Sequence, residues 1–334
     1  MRQYLLPQNG QFYKANLHSH STVSDGTLTP AEMKQVYREH GYHILAYTDH
    51  EILRDHSELS DDQFLAITGY ELSINERGDK PWPQKQTCHL NLYARNPHNT
   101  TQVCFHPEQY YFCGEDVYGK IQYVGEPYVR EHTPACINEI IRIARENGFL
   151  VAYNHPTWSR EDPRDYLAYE GMFAMEIYNH GSNSVGCFEY DIQAYDIMLR
   201  AGKRIFCTMT DDNHNKNPHG IYTDSFGGFT MIKAPDLSYD TIIHALEQGD
   251  FYASQGPEIQ ELYLENGMVH VKCSPAKYIS YVAGVRRNKA RFGYHDYLEE
   301  AEFDIDPEDI YFRIGIVDDQ GRHADTRAYF LDTL

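Results

Sequence analysis

The chain has 334 residues, 41% of them hydrophobic, so it can bury a core and is long enough for one large domain with a smaller one. It carries 49 acidic and 29 basic residues, and the resulting net charge of -20 argues against a protein that tracks duplex nucleic acid. The seven cysteines are scattered without a CxxC pair, and the chain shows no signal-peptide core or membrane-length apolar run, which together predict a soluble cytoplasmic protein.

Short apolar runs alternate with helical patterns along the first 254 residues. The segment YKANLHSH predicts a strand, and the next segment, TPAEMKQVYREHG, predicts a helix that Thr29 caps and Gly41 ends. Further strands are predicted at HILAYTDH, FLAITGYELSI, HLNLYA, FLVAYNHP, MFAMEIYN and RIFCTMTDDNH, and further helices at TPACINEIIRIARENG and FEYDIQAYDIMLRAG. This alternation predicts mostly parallel strands covered by helices, as an α/β barrel or an open sheet.

The pattern changes near Gly256. Two hairpins are predicted, one turning at Asn266-Gly267 and one within YFRIGIVDDQGRHADTRAYFL, with a strand at KYISYVAG between them. Residues 255–334 are therefore predicted to form a small antiparallel β domain after a first domain of residues 1–254. Within that first domain, residues 78–131 form an irregular, tyrosine-rich insertion that either covers a substrate as a lid or packs between the domains.

Side chains able to bind metal stand at the ends of five predicted strands. His18 and His20 lie two residues apart, so both point to one face if the strand stays extended. The later runs contribute His50, Glu71, His155, Asp212 and His214. Because functional side chains collect at the carboxyl ends of strands in α/β folds, these residues are predicted to meet in space.

His89 and Asp25 complete the predicted set. His89 begins its run instead of ending it, so its strand runs the other way or its side chain points into a barrel. Asp25 lies in the turn after the first strand, from which a carboxylate can reach back over the strand ends. Six histidines, two aspartates and one glutamate suit zinc, manganese or iron, and nine ligands are enough for two or three divalent ions.

The ordered motifs HSHSTVSDG, TDH, GYE, CH, NHP and DNH resemble those of the polymerase and histidinol phosphatase (PHP) family, over roughly residues 13–254. The resemblance implies a distorted (β/α)7 TIM-like barrel with a two- or three-metal site. It implies a first ion held by His18, His20, Glu71 and Asp212, a second by Glu71, His89 and His155, and a third by Asp25, His50 and His214. The subgroup with a C-terminal β extension after a GPEI stretch is the most similar.

The chain departs from the family pattern in two places. Asn154 precedes His155, where many relatives carry a small apolar residue, and this is expected to change the hydrogen bonds behind the ligands. The insertion at residues 78–131 matches no family motif, so the sequence leaves the choice of substrate open.

The predicted activity is that of a metal-dependent phosphoesterase, a hydrolase acting on a small phosphorylated metabolite or nucleotide. A metal-bridging hydroxide would attack phosphorus in line while the ions neutralise the phosphoryl oxygens. The predicted catalytic residues are Asp25, Glu71 and Asp212, together with Arg160 as the phosphate-binding candidate and His180 as the general-acid candidate.

Several of these side chains have plainer interpretations. Arg160 also fits a solvated loop arginine, and His180 and the alternative acid His219 also fit surface histidines. Asp49 either orients a ligand from behind or caps a turn, and Asn179 either binds substrate or caps the following loop.

Two other functions stay open from the sequence. A metallohydrolase of carboxylic or carbamate esters or amides would direct the same hydroxide at a carbonyl carbon, and a site without a useful arginine or lysine would favour it. A non-catalytic binding protein would use the β domain to hold a glycan or a partner, although the retention of all nine ligands argues against it. The expected partner is a small-molecule substrate, neither duplex nucleic acid nor a membrane, and the sequence does not give the oligomeric state.

Overall fold

The computed structural model describes residues 2–107, 120–217 and 220–334. The tyrosines Tyr110, Tyr111 and Tyr118 of the insertion and the candidate acid His219 lie outside these ranges. The described helices are α1 (Pro30–Glu39), α2 (Pro134–Glu146), α3 (Pro163–Tyr166), α4 (His180–Ser184), α5 (Ile192–Arg200) and α6 (Tyr239–Gln248).

The described strands fall on both sides of the predicted boundary at residue 254. Those before it are β1 (Gln3–Tyr4), β2 (Gln11–Asn16), β3 (Ile44–Tyr47), β4 (Leu65–Asn75), β5 (Thr87–Ala94), β6 (Thr101–Gln102), β7 (Gln122–Tyr123), β8 (Phe149–Tyr153), β9 (Ala174–Asn179), β10 (Phe206–Thr210), β11 (Phe229–Ala234) and β12 (Phe251–Ser254). Those after it are β13 (Ile259–Glu265), β14 (Met268–Ala276), β15 (Tyr278–Ala283), β16 (Lys289–Phe292), β17 (Leu298–Asp304), β18 (Tyr311–Val317), β19 (His323–Thr326) and β20 (Tyr329–Phe330).

One large mixed sheet carries most of the fold. Its 14 strands follow the order β10-β9-β8-β5-β4-β3-β2-β11-β12-β19-β18-β15-β16, with β20 paired to β18. Strands β2, β3 and β4 are parallel, as are β8, β9 and β10, whereas β5 lies between these groups and runs antiparallel to both neighbours. The predicted α/β class is confirmed, but the sheet is mixed where mostly parallel strands were predicted, because β5, β11 and β12 pair antiparallel with their neighbours. The hydrogen-bonded order of the strands is that of an open sheet.

Helices α1 and α2 begin where the sequence predicts, whereas the helix predicted at FEYDIQAYDIMLRAG begins only at Ile192. Thr29 and Glu32 form a reciprocal capping box at the start of α1, with the Thr29 amide donating to the Glu32 carboxylate at 2.8 Å. Thr133 caps α2 in the same way, since its hydroxyl accepts from the Cys136 amide at 3.3 Å. Helix α2 then buries one apolar stripe, made of Ile137, Ile140, Ile141 and Ala144.

Beyond their last ladder pairs, the continuations of β2 and β10 come together. Ser19 and Asn213 form a parallel bridge. The Asp212 amide donates to the His18 carbonyl at 2.9 Å, and the His20 amide donates to the Asn213 carbonyl at 3.0 Å. The first and last strands of the parallel groups therefore meet at the edge that carries the predicted ligands.

The C-terminal strands extend the large sheet across the predicted domain boundary. Strand β19 pairs antiparallel with β12, with Ala324 opposite Ser254. Both predicted hairpins are present, and Asn266 and Gly267 take positive φ values of 53° and 77° at the turn between β13 and β14. Strands β1, β13, β14 and β17 form a second sheet, so the N-terminus also joins this part. The division at residue 254 stays a prediction.

The apolar cores lie on either side of this junction. One cluster packs α2 and α5 against the parallel strands and includes Ile140, Tyr153 and Met198, while another fills the space among the C-terminal strands around Phe303 and Phe312. Among the described residues, no helix combines the length and the apolar character needed to span a bilayer.

Candidate metal centre

All nine predicted ligands lie together at one edge of the large sheet. The parallel strands β2, β3, β8 and β10 end at this edge, and β4 passes through it. Strand β5 is antiparallel and therefore starts there, which explains why His89 stands at the beginning of its run. Of the two alternatives for His89, the structure favours the reversed strand.

The Glu71 carboxylate is the centre of the cluster and is fully buried. Its Oε1 lies 2.9 Å from His89 Nδ1, 3.1 Å from His155 Nε2 and 3.3 Å from His18 Nε2. Its Oε2 lies 2.8 Å from His50 Nδ1. A carboxylate surrounded by imidazole nitrogens on both oxygens has the arrangement of a bridging ligand between ions.

Asp212 faces Glu71 from the continuation of β10. Its Oδ1 lies 2.9 Å from His20 Nε2 and 3.2 Å from His18 Nε2, and its Oδ2 lies 3.8 Å from His155 Nε2. Asp212 and His155 have positive φ values of 51° and 22°. Strained backbone of this kind is typical of residues whose side chains a functional site must hold in place.

Asp25 lies close to His50 and His214, in the part of the cluster that is most exposed to solvent. Its Oδ1 lies 3.4 Å from His214 Nε2 and 3.7 Å from His50 Nε2. Its other oxygen accepts from Lys216 Nζ at 2.7 Å. Lys216 therefore neutralises part of this carboxylate at the mouth of the cluster.

Four groups of donor atoms in the described chain are compact enough to hold an ion, with every atom of a group within 4.8 Å of the others. The groups are His18–His20–Glu71, Glu71–His89–His155, His20–Asp25–His50–His214 and His18–His155–Glu176. The second matches the grouping that the sequence resemblance implies, the third adds His20 to the implied set, and the first lacks Asp212, which the resemblance also assigns to that ion. The fourth contains a residue that was not predicted.

Glu176 of β9 is this additional residue, with 1% of its surface exposed. Its Oε1 lies 2.6 Å from His18 Nδ1 and accepts from the Thr210 hydroxyl at 2.8 Å, while its Oε2 accepts from the His155 amide at 3.2 Å. The sequence held a signal for it, since Glu176 is the only charged residue in the apolar run MFAMEIYN. A carboxylate behind a histidine fixes the ring orientation and the tautomer.

The chemistry of the cluster fits divalent cations. Because Glu176 accepts a hydrogen bond from His18 Nδ1, His18 Nε2 faces oxygens of Glu71 and Asp212, which lie 3.3 and 3.2 Å away. Lone pairs and carboxylate oxygens repel each other at such distances unless a cation or a proton lies between them. Imidazole and carboxylate together are the ligands of zinc, manganese and iron.

Protons compete with any ion for these side chains. Burial lowers the pKa of His50, but the charge and hydrogen bond of Glu71 outweigh burial and raise this pKa to about 9. For His20, burial and the charges of His50 and His214 lower the pKa to about 3. Ion binding must therefore displace a proton from His50 but not from His20.

Two polar residues support the cluster from behind. Asn154 Nδ2 donates to Glu71 Oε1 at 2.9 Å, so the departure from the family pattern does place a hydrogen bond on the central carboxylate. Asp49 accepts from the amides of Ser21 and Ser24 at 2.7 and 3.1 Å, which matches the turn-capping interpretation. It thereby stabilises the turn that carries Asp25.

Asn179 caps the segment that follows β9, as one of its two interpretations expects. Its side-chain oxygen caps α4 by accepting from the Ser182 amide at 2.8 Å. Its side-chain nitrogen donates to Asp212 Oδ2 at 3.0 Å and to Glu176 Oε2 at 3.2 Å. Asn179 is therefore a cap that also orients two carboxylates of the cluster.

The structure does not bring Arg160 or His180 into the cluster. Arg160 is exposed, and its guanidinium donates to the Pro83 carbonyl at 3.0 Å. His180 Nδ1 lies 2.8 Å from the Tyr178 hydroxyl, and its ring packs against Gly227. Neither is among the described residues lining the cavity above the cluster. Arg160 fits its interpretation as a solvated arginine, whereas His180 is half-buried at the start of α4 and is not a surface loop histidine.

A cavity of about 1350 Å³ opens above the cluster. Both ends of the predicted insertion contribute to its wall, Gly78, Trp82 and Lys85 from the start and Val129 and Arg130 from the end. The cationic residues lining it are Arg77, Lys85, Arg130 and Lys216. The sequence did not single these cations out, because the segments carrying three of them match no motif.

Arg130 ties the insertion to the cluster. It is 2% exposed, and its Nη1 donates to Glu51 at 2.7 Å and to the Ser73 carbonyl at 2.9 Å. Glu51 directly follows His50, and Ser73 lies two residues after Glu71 on β4. The buried ion pair therefore joins the end of the insertion to the two strands that carry these ligands.

Comparison with known proteins gives weak likenesses. No family model matches the chain. A 5'-3' exoribonuclease from Haemophilus influenzae is 38% identical over 69 residues, which cover 20% of this chain and only a quarter of that protein. A two-domain protein from Bacteroides vulgatus, containing a predicted PHP-like metal-dependent phosphoesterase, covers 98% of both chains with 15% identity and a TM-score of 0.48.

A further solved structure is an amidohydrolase from Chromobacterium violaceum with bound sulfate and no metal. It covers 60% of this chain and 87% of its own, with 17% identity and a TM-score of 0.38. Because both TM-scores lie below 0.5, neither likeness adds an argument to the geometry described above.

Proposed function

We propose that the chain is a PHP-type metal-dependent hydrolase that cleaves a phosphoric ester of a small metabolite or nucleotide. The observation that carries the proposal is the buried Glu71 carboxylate, whose two oxygens lie 2.8 to 3.3 Å from nitrogens of four histidines. Burying so many lone pairs and negative charges together is costly, and bound cations would offset this cost. Cations at the floor of an open cavity could also act on a substrate.

We propose that the catalytic domain is a distorted (β/α)7 TIM-like barrel built from β2, β3, β4, β5, β8, β9 and β10. The parallel bridge between Ser19 and Asn213, which joins the continuations of β2 and β10, supports closure of this ring. The barrel would correspond to residues 1–254, with residues 255–334 as the β domain that the sequence predicts.

The ions would be two or three of manganese, iron or zinc, held in the three groupings that the resemblance implies. When bound, they would lower the pKa of a coordinated water and neutralise the phosphoryl oxygens in the transition state. The chain's own contribution is orientation, because Glu176 fixes the His18 ring and Asn154 donates to Glu71.

The walls of the cavity favour a phosphate ester over a carbonyl substrate. Arg77, Lys85 and Lys216 line the cavity, and cations of this kind bind phosphate oxygens. This feature separates the two hydrolase hypotheses, since a cavity without them would favour a carboxylic or carbamate ester or an amide. We propose that the substrate is a small anionic molecule and that the reaction takes place in the cytoplasm.

Elemental analysis of protein purified without chelator tests the proposal. We expect two to three equivalents of manganese, iron or zinc and hydrolysis of phosphate esters in preference to carboxyl esters. A His18→Ala/His20→Ala variant should show a metal deficit and lose turnover, while a His98→Ala variant, altered at an exposed histidine, should keep both. Protein that takes up no metal on reconstitution would overturn the hydrolase and favour the binding-protein hypothesis.

A further inference from the structure

Both tryptophans of the chain line the cavity above the cluster. Trp82 lies in a short 3-10 turn, Trp82–Gln84, at the start of the insertion, and 61% of its surface is exposed. Trp158 lies in the loop after β8 and is partly buried. An exposed tryptophan on a cavity rim is unusual for a residue that serves only packing.

The rings form a series that leads from the cluster to the surface. The Trp158 ring lies 5.3 Å from the His89 ring and 5.0 Å from the His155 ring, centre to centre. The Trp82 ring lies a further 6.1 Å from Trp158, inclined at 61°. A ligand that reaches from the candidate ions to Trp82 would therefore pass only one intervening ring, that of Trp158.

Two cations that line the same cavity form no ion pair with a carboxylate of the described residues. Among those residues Lys85 Nζ makes no hydrogen bond, and Arg77 makes a single side-chain bond, from Nε to the Arg130 carbonyl at 3.0 Å. The nearby Lys80 differs, since it pairs with Glu76 at 2.6 Å. In a chain of net charge -20, unneutralised cations beside an exposed aromatic ring indicate a preference for an anion.

We propose that Trp82, Lys85 and Arg77 form a binding subsite for a planar aromatic ring joined to an anionic group. Trp82 would stack on the ring, and the two cations would bind the attached anion. The proposal rests on the proposed function in one respect, because it makes the occupant a phosphate ester whose one phosphate lies between these two cations and the cluster. It narrows the substrate to an aromatic phosphate, such as a nucleotide.

The two tryptophans make the subsite directly observable. Because they are the only tryptophans in the chain, their fluorescence reports on this cavity alone. Titration of the full-length, metal-free protein with adenosine 5'-monophosphate should change the emission saturably. Adenosine, which lacks the anion, and ribose 5-phosphate, which lacks the ring, should each bind at least about five-fold more weakly, since stacking of one base is worth roughly that factor or more.

Substitutions identify which residues are responsible. Trp82→Leu and Lys85→Gln should each weaken adenosine 5'-monophosphate binding at least about five-fold, with calorimetry as the readout where the fluorophore is lost. Matched controls remote from the cavity are Tyr294→Leu, at an aromatic residue that is 82% exposed, and Lys272→Gln, at an exposed lysine of β14. Both controls should bind as the unaltered protein does.

Equal binding of the nucleotide and ribose 5-phosphate, or unchanged binding by Trp82→Leu, would overturn the subsite, and so would the absence of saturable binding. Turnover is measured separately on metal-loaded protein. Nucleotide binding without phosphatase activity would mean that the proposed function fails and the subsite stands. Phosphatase activity that is indifferent to an aromatic ring would mean that the subsite fails and the function stands.

Discussion

Glu176 shows how one buried side chain determines the chemistry of its neighbours. It accepts hydrogen bonds from the Thr210 hydroxyl and the His155 amide and lies 2.6 Å from His18 Nδ1. These contacts fix the His18 ring so that its other nitrogen faces Glu71 and Asp212. Although Glu176 lies one layer behind the proposed ions, it should control the affinity for them.

We expect Glu176→Gln to lower metal affinity or phosphatase activity about 10- to 100-fold while the protein stays folded, because the amide is a weaker acceptor for the His18 proton. Metal content after dialysis and the melting temperature check this. Glu161→Gln is the matched control, a buried carboxylate that binds Tyr153 and His132 away from the cluster. Equal metal loss in both variants would point to general destabilisation instead.

Glu189 is a second buried carboxyl group, and it holds a loop next to the cluster in place. Its oxygens accept from the Thr157 and Trp158 amides at 3.0 and 2.8 Å, so it stabilises the loop that follows His155. Burial and the hydrogen bond and charge of Asp191 raise the pKa of Glu189 to about 10, although the two amides partly oppose this shift.

The pKa of Glu189 predicts how stability depends on pH. The folded chain keeps a proton that the unfolded chain loses above its ordinary pKa of 4.5, so the free energy of unfolding falls as pH rises between about 4.5 and 10. Titration of Glu189 alone lowers the free energy of unfolding by on the order of 1 kcal/mol for each pH unit in this range. Glu189→Gln should remove that contribution.

Urea unfolding at pH 5.5 and 8.5 measures the effect of Glu189→Gln. The unaltered protein should lose more stability than the variant between these two pH values. An exposed-carboxylate control, Glu58→Gln, should behave as the unaltered protein does. An identical loss in the Glu189 variant would mean that this carboxyl group titrates normally.

At the level of elements, ion pairs as well as sheet pairing hold the C-terminal strands to the part of the chain before residue 254. Arg313 of β18 is buried, and its guanidinium donates to Asp196 of α5 at 2.8 and 2.9 Å and to Asp325 of β19 at 2.9 Å. Tyr190, in the loop before α5, donates to Asp325 at 2.7 Å. This network connects the C-terminal strands to the chain segment that leaves the metal edge after β9.

We expect Arg313→Met to destabilise the protein by about 3 to 5 kcal/mol, because it leaves two largely buried carboxylates without their cation. The exposed pair Arg2–Glu265 provides the control, since Arg2→Met should lower the stability far less than Arg313→Met does. Urea unfolding at neutral pH compares the two. A loss below 1 kcal/mol for Arg313→Met would show that the network contributes little to holding the elements together.

At the level of the whole molecule, the continuous sheet bears on the predicted division at residue 254. The pairing of β12 with β19 and the Arg313 network both cross that boundary. Parts that share a sheet and a buried ion network lose contacts together when either one unfolds. The two predicted domains are therefore expected to unfold as one unit.

Two optical probes test this expectation. Tryptophan emission reports on the cavity only, whereas far-ultraviolet circular dichroism reports on all strands and helices. We expect the two urea transitions to coincide in the metal-free protein. Separate transitions would instead support residues 1–254 and 255–334 as independent domains.

The sequence by itself determined the main strands and helices around the cluster and the set of candidate ligands. Alternating apolar runs fix strands because side chains on a strand alternate between faces, and Thr-Pro starts fix helices because they satisfy free backbone amides. His18 and His20 could be paired from their spacing alone, since residues two apart on an extended chain share a face. Those local rules hold whatever the rest of the chain does.

Only the tertiary structure decided which strands are neighbours and what lines the cavity. The direction of β5 depends on its pairing with β4 and β8, contacts that no local pattern of HLNLYA encodes. Glu176 and Trp82 owe their positions near the cluster to residues far away in the chain, whereas Arg160 and His180 bond to Pro83 and Tyr178 and do not line the cavity. Long-range contacts fix these positions, and a linear sequence does not display them.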